Sequence, residues 1–340
     1  MAATPIGIDI GEKYTRIIDL TFTNGKIDLS CIGIQPTVVN FFSDDGEKSI
    51  ENQADVILKL CSDLKISKKS ANICIPDSQS FSQILEFAKL NEKELLSAVK
   101  YQSDQFIPMA IEDVVLDIEI LKENKAEKKN TILIVASPKK LVDRVEKAVE
   151  MSGLIPESLE NELSSFGRFF SEVMKKNGEG AFLVVNFGYT STSIYLIDSK
   201  SSIILLTRTV KVGFHLFLKE LHFNFELQES KSLEILRTIG FQKNASYDIS
   251  SIVSPIMKEL LNELAKFLVY SKEKYGLAVS NLYVFNYSPH ILSFEKKLSE
   301  ALSLPVEPLY IRDLLVNNPV SQSFSNDMPS YICAIGSSIR

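Results

Sequence analysis

One hairpin pattern occurs twice in this chain, and the repeat restricts the fold more than any other feature. Ile6–Leu20 reads IGIDIGEKYTRIIDL. Ile6, Ile8 and Ile10 alternate, Gly11-Glu12-Lys13 makes a turn, and Ile17, Ile18 and Leu20 bring the chain back, which is a β-hairpin with an acid, Asp9, just before its turn. Phe182–Asp198 reads FLVVNFGYTSTSIYLID. Aligning Gly188 with Gly11 puts Val185-Asn186-Phe187 on Ile8-Asp9-Ile10 and Ile194-Tyr195-Leu196-Ile197 on Ile17-Ile18-Asp19-Leu20. A single glycine-turn hairpin is a common way to open a chain; two related copies predict a duplicated domain with a cleft between the copies. The turns would face each other across that cleft, where glycine lets the backbone approach a ligand and turn N–H groups can meet a phosphate. A nucleoside triphosphate is the ligand such a cleft would take.

The chain has 340 residues, enough for two domains of ordinary size, and its 45% apolar and 24% charged content is globular. A net charge of -6 and a pI near 5.4 argue against bulk nucleic-acid binding, which needs a basic field. Cys31, Cys61, Cys74 and Cys333 are dispersed without a CxxC pair and read as free thiols of a reducing compartment. His215, His222 and His290 show no metal-ligand spacing. The N-terminus lacks the basic, apolar, small-residue progression of a secretory signal, and no stretch is long enough to cross a bilayer. These features predict a soluble cytoplasmic chain whose membrane association runs through a partner.

In chain order, Ile27–Val39 continues the strands, Ile50–Leu64 is a helix, and Ala71–Ile75 is a short strand ended by Pro76. Residues 78–154 look like a separate α/β insert with a β-α-β-β-α pattern. Its first helix is capped by Asn91 with Glu94 as the reciprocal acceptor, and its second by Ser137 with Pro138 in the first turn. Ser158–Lys176 reads as a long helix with Leu159, Leu163, Phe166, Phe169 and Phe170 on one face. Asn177-Gly178-Glu179-Gly180 marks the main boundary. Beyond the second hairpin come a strand over Ile203–Val212, helices over Phe214–Leu221 and Glu226–Ile239, and a long amphipathic helix over Tyr247–Tyr275. A buried strand over Leu282–Phe285, a helix over His290–Leu302, a loose polar stretch over Ser321–Pro329 and a closing helix over Tyr331–Ile339 follow. The expected organisation is a first domain over 1–77 and 155–177, the insert over 78–154, a second domain over 178–325, and a C-terminal helix over 326–340 returning to the first domain.

Several of these segments resemble the PilM family, actin-like cytoplasmic proteins of type IV pilus assembly within the larger actin, Hsp70, sugar-kinase and FtsA group. The resemblance runs nearly end to end. It rests on the opening hairpin, on Tyr101-Gln102 through Gln105-Phe106-Ile107-Pro108, on Ile111-Glu112-Asp113-Val114-Val115-Leu116-Asp117, and on Val135-Ala136 with its following helix. Gly188, the Arg208–Gly213 segment and the closing Ala334–Arg340 complete it. The resemblance implies an α/β fold of the actin-like, ribonuclease H-like kind, with duplicated sheets and an FtsA-type 1C insert.

Family roles carry over where residues match. Asp9 and Gly11 match the first phosphate loop, whose acid holds Mg²⁺ through water; Arg16 matches its basic position, and Gly188 and Thr190 match the second loop. The departures bear on chemistry. The second loop's acid is Asn186 here, which cannot supply charge to a metal. Gly213-Phe214 stands where two glycines are usual, and the adenosine loop, Phe285-Asn286-Tyr287-Ser288-Pro289, has no glycine. Glu12 replaces a small hydroxyl, with Lys13 as its compensating cation. Asp9, Gly11, Lys13, Arg16, Asn186, Gly188, Thr190 and Gly213 therefore form a degenerate nucleotide site without a catalytic residue. ATP and Mg²⁺ are its expected but weakened ligands.

The resemblance implies a scaffold of the pilus inner-membrane platform that works without ATP hydrolysis. Its partners would be other pilus assembly proteins and the N-terminal cytoplasmic peptide of a PilN-like membrane protein, held between subdomains 1A and 1C by apolar anchors and strand-edge hydrogen bonds. It names no residue for that contact. Competing readings are a nucleotide-cycling ATPase of the same fold, the related platform protein of type II secretion, and an FtsA-like division protein. The last is disfavoured by the absence of a long basic amphipathic tail.

Overall fold

The opening hairpin forms where the alternation places it. The computed structural model describes residues 4–174, 179–242 and 248–340. In it, β1 (Ile6–Ile10) runs antiparallel to β2 (Tyr14–Thr23), with Asp9 opposite Arg16, and β2 runs antiparallel to β3 (Lys26–Pro36). Helix α1 (Glu47–Asp63) leads to β4 (Ser70–Ile75), which pairs parallel to β1. The chain then builds β5 (Phe81–Ala88), α2 (Glu92–Tyr101), β6 (Val114–Asn124), β7 (Lys129–Pro138) and α3 (Lys139–Met151). It returns through β8 (Ile155–Asn161), parallel to β4, into α4 (Glu162–Phe169). The first sheet is thus ordered β3-β2-β1-β4-β8, and the intervening segment forms its own antiparallel sheet, β5-β7-β6.

Each of these sheets has its own core. Leu95, Val99, Ile107, Ile132 and Ile134 cluster on the three-stranded sheet. Ile6, Ile8, Ile10, Ile73 and Ile75 of the first sheet are buried against Ile50, Ile57 and Leu60 of α1. Leu141, Val145, Ala148 and Val149 of α3 join that second group. The helix that the sequence places in the 78–154 insert therefore packs on the first sheet, because its apolar stripe faces α1 and not the three-stranded sheet.

The other sheet repeats the order of the first. Strands β9 (Ala181–Phe187), β10 (Thr192–Asp198) and β11 (Ile204–Val210) are antiparallel neighbours, with Asn186 opposite Ser193. Helices α5 (Phe214–Phe225), α6 (Glu229–Thr238), α7 (Ile249–Ile252) and α8 (Ser254–Tyr275) follow, then β12 (Val279–Asn286), α9 (Phe294–Leu302) and β13 (Val306–Pro308). Both β12 on β9 and β13 on β12 are parallel, giving the order β11-β10-β9-β12-β13. The residue pairs opposite each other in the two hairpins, Asp9 with Arg16 and Asn186 with Ser193, keep the register of the sequence alignment.

Two compact units result. One comprises Met1–Lys175, Asp313–Ser325 and Cys333–Arg340; the other comprises Lys176–Arg312 and Asn326–Ile332. The late return to the first unit uses α10 (Pro319–Ser323), capped by Asn318, and most of α11 (Ile332–Ser338). There the Ser337 carbonyl accepts from Asn72 Nδ2 at 2.9 Å and the Gly336 carbonyl from Arg168 Nη1 at 3.0 Å.

Several expected element bounds are corrected. The long helix over Ser158–Lys176 begins as strand β8, because parallel pairing to β4 holds 155–161 extended; Asn161 then caps α4, accepting from the Ser164 N–H at 3.1 Å. The turn that follows, Phe170–Met174, is a π-helix. Ser137 lies inside β7 and donates to the Gln79 carbonyl, so Pro138, not Ser137, occupies the cap position of α3. The helix foreseen over His290–Leu302 starts at Phe294, after a 3-10 turn at Ser288–His290. The stretch Ser321–Pro329 holds part of α10 and the start of a 3-10 turn, with Met328 fully buried. The Asn91 capping box forms as expected. The boundary at Asn177-Gly178 and the helix start at Tyr247 lie outside the described residues.

Candidate functional site

The first turn is closed by its own backbone. The Gly11 N–H donates to the Tyr14 carbonyl at 3.0 Å, so this amide faces inward and not toward a ligand. A Cβ on Gly11 would lie 2.9 Å from that same carbonyl oxygen, which is why the turn needs glycine. The Gly11 carbonyl accepts from Thr37 Oγ1 at 2.7 Å, and the Lys13 carbonyl from the Thr37 N–H at 3.0 Å. Thr37 also meets Thr15 Oγ1, which accepts from Gln53 Nε2 of α1. These buried contacts tie the turn to the segment that follows β3.

Asp9 and Arg16, adjacent across the hairpin, form an internal ion pair. Both are only 3% exposed, and Arg16 Nη1 donates to Asp9 Oδ2 at 3.0 Å. Burial pushes the Asp9 carboxyl up from its ordinary range, and the Arg16 charge and hydrogen bond pull it back. Asp9 Oδ1 is buried with no hydrogen-bond partner among the described residues. A carboxylate whose charge is already paired with a guanidinium offers Mg²⁺ or its waters a weaker partner than a free one. No group of three or more acidic, histidine or cysteine side chains that could hold a metal occurs among the described residues.

The second turn is also occupied from within. Phe214 N–H donates to the Gly188 carbonyl at 2.9 Å, and His215 N–H and its ring Nδ1 meet the Tyr189 carbonyl at 2.9 Å each. The first amides of α5, a place where a phosphate could bind, are therefore spent on the turn. Gly213 permits this closeness: a Cβ there would lie 2.4 Å from the Tyr189 oxygen and 2.5 Å from the Thr190 carbonyl carbon. Asn186 Oδ1 accepts from Asn286 Nδ2 at 2.9 Å. Tyr287 stacks on Phe214 with ring centroids 5.3 Å apart and planes 21° from parallel, and Tyr189 stands 5.7 Å from Tyr287. Tyr287, within the segment 285–289, thus packs its ring against Phe214 and Tyr189.

The structure therefore gathers Asp9, Gly11, Lys13 and Arg16 at one turn and Asn186, Gly188, Thr190 and Gly213 at the other, each turn knitted into its own unit.

The residues of a third feature were not legible, although the resemblance implies a peptide site between the first domain and the insert. A cavity of about 460 Å³ opens in the first unit between α3 with the segment after β3 and the three-stranded sheet. Phe42, Phe81, Met109 and Leu141 give it apolar walls, and Asp45, Ser78 and Arg144 a polar side. Arg144 is buried on α3, where it donates to the Phe41 carbonyl at 3.0 Å and pairs with Asp45, fixing the wall that carries Phe42. These residues come from separated segments without a shared pattern. Pro108, which ends the QFIP run, is among the lining residues.

The family model described as "Type IV pilus assembly protein PilM" matches residues 7–340. A solved structure described as a PilM-PilN type IV pilus biogenesis complex is 21% identical, covers 99% of this chain and 98% of its own, and superposes with a TM-score of 0.85. The ethanolamine utilization protein EutJ from Carboxydothermus hydrogenoformans is 12% identical, covering 98% and 89%, with a TM-score of 0.57. MreB 5 of Spiroplasma citri bound to AMPPNP is 11% identical, covering 100% and 96%, with a TM-score of 0.52. These likenesses show an actin-like α/β fold, as the duplicated sheets predict.

Proposed function

The chain belongs to the type IV pilus assembly protein PilM family, and from that premise we propose that it is a scaffold of the pilus inner-membrane platform that binds the N-terminal cytoplasmic peptide of a PilN-like membrane protein without hydrolysing ATP. The observation that carries this reading is the cavity bounded by Phe42, Phe81, Met109 and Leu141. It offers an extended peptide apolar anchor points beside Phe81, which opens the edge strand β5 and its unpaired backbone groups. The solved PilM-PilN complex with a closely similar fold supports a PilN-like partner. The absence of hydrolysis is supported by the Asp9–Arg16 pair and by Asn186 at the second turn, since phosphoryl transfer depends on positioned charge and metal. Among the described residues no helix is long and apolar enough to cross a membrane; on this reading the PilN-like partner links the chain to the membrane.

The test is a fluorescence-anisotropy titration with a labelled peptide of the N-terminal cytoplasmic segment of the PilN-like protein from the same organism. The wild-type chain should bind in the micromolar range, and Met109→Asp should weaken binding about tenfold or more by placing a charge in the apolar wall. No binding by the wild type at high micromolar concentration would overturn the reading.

A further inference from the structure

The connection from β4 into the three-stranded sheet, residues 76–80, is held from two sides. From α4, the Asp77 N–H donates to Glu162 Oε2 at 3.1 Å, Asp77 Oδ1 accepts from the Leu163 N–H at 2.8 Å, and Asn161 Nδ2 donates to Ser80 Oγ at 2.9 Å. From the first turn, Glu12 Oε1 accepts from Ser78 Oγ at 2.7 Å. Ser78, Gln79 and Ser80 all line the cavity. The same turn also holds the opposite wall: Thr37, bonded to the Gly11 and Lys13 carbonyls, begins the segment that places Phe42 and Asp45.

We propose that Glu12 is a positioning residue for the peptide cavity: the first turn, whose inherited place is beside a phosphate, serves here as a strut that spaces the two cavity walls. This rests on the proposed peptide reading for its ligand, though not for its geometry. It accounts for an acid where a small hydroxyl is usual. The Glu12 carboxylate reaches Ser78 Oγ at 2.7 Å, a reach that its longer side chain supplies and a serine's shorter one does not. The backbone beneath it is tied down, because the Gly11 and Lys13 carbonyls are both bonded to Thr37.

Two measurements on the full chain test this. Hydrogen–deuterium exchange reads the connection without a ligand: the Gln79 and Ser80 amides close its turn onto the Pro76 and Asp77 carbonyls. Glu12→Ala should speed their exchange about three- to tenfold, while Glu12→Gln, which keeps an acceptor oxygen, should stay close to wild type. In the anisotropy titration, Glu12→Ala and Ser78→Ala should each weaken the peptide by about three- to tenfold, the double variant no more than either single, with Glu12→Gln restoring most of the affinity. Unchanged exchange in Glu12→Ala overturns the proposal whatever the peptide does. Additive losses in the double variant overturn it as well, because Ser78 would then be touching the peptide on its own account. Failure of the wild type to bind sinks the functional reading alone, and the exchange result still decides the role of Glu12.

Discussion

Asp9 is the residue on which the chemical reading turns, and burial together with one ion pair sets its environment. A carboxylate that holds a metal-bound water must keep its charge available; here the guanidinium of Arg16, three residues past the turn's Lys13, takes it at 3.0 Å inside the protein. Breaking a buried ion pair from one side leaves an uncompensated charge, so Asp9→Asn should lower stability by roughly 3–5 kcal/mol. Urea unfolding followed by circular dichroism would show it, and the apolar double variant Asp9→Leu with Arg16→Met should fall much closer to wild type. A wild-type-like Asp9→Asn would mean that Arg16 is not locked to it. The thiols give a second prediction at this scale. Burial pushes Cys61 up to about 11 and Cys74 well above its ordinary value; at Cys333 a hydrogen bond with Cys74 pulls down, but burial and nearby acids push it up to about 12. Because these pKa values are raised, the reactive thiolate stays scarce below them. Raising the pH from 7 to 9 should therefore add little modification of Cys61, Cys74 or Cys333 by Ellman's reagent, whereas urea should release all three. The residue types at Asp9 and Asn186 were legible in the sequence. That Arg16 faces inward was not, since a strand arginine before two isoleucines reads equally well as a surface residue until β1 and β3 are placed on either side.

At the scale of elements, periodicity identified those that make their own case. The alternating isoleucines of β1, the stripe of α1 and the Asn91–Glu94 capping box around α2 are local signals that the tertiary structure keeps. Asn91→Ala should cost about 1 kcal/mol, read as faster exchange across α2 with little change in the first sheet. Elements decided by pairing were hidden. Residues 155–161 carry apolar residues at helical spacing with the stretch beyond, yet the open edge of β4 draws them into β8, and only then does Asn161 start a helix. The contact of α5 with the second turn was hidden for a similar reason. Gly213 was placed in the degenerate nucleotide site; in the structure it lets two pieces of backbone touch. Gly213→Ala should force α5 off Tyr189 and Thr190 and destabilise its unit by roughly 1–3 kcal/mol, seen as a lowered thermal midpoint. A midpoint equal to wild type would show that the turn can move aside at no cost.

Across the whole molecule, duplication was the most legible feature, because two hairpins with one register imply two sheets with one strand order. The residues that line the cavity were hidden for the opposite reason: Phe42, Phe81, Met109 and Leu141 meet only after α3 leaves the inserted sheet and packs beside α1. The chain is an actin-like body in the PilM family whose two turns bind their own protein and whose proposed working surface is the cavity beside β5. The most direct test is phosphate release from Mg-ATP by the purified chain, measured with and without the PilN-like peptide at saturating concentration. The account predicts release indistinguishable from a blank lacking protein in both conditions, while the peptide itself binds. Steady release that the peptide accelerates and Asp9→Ala abolishes would contradict it.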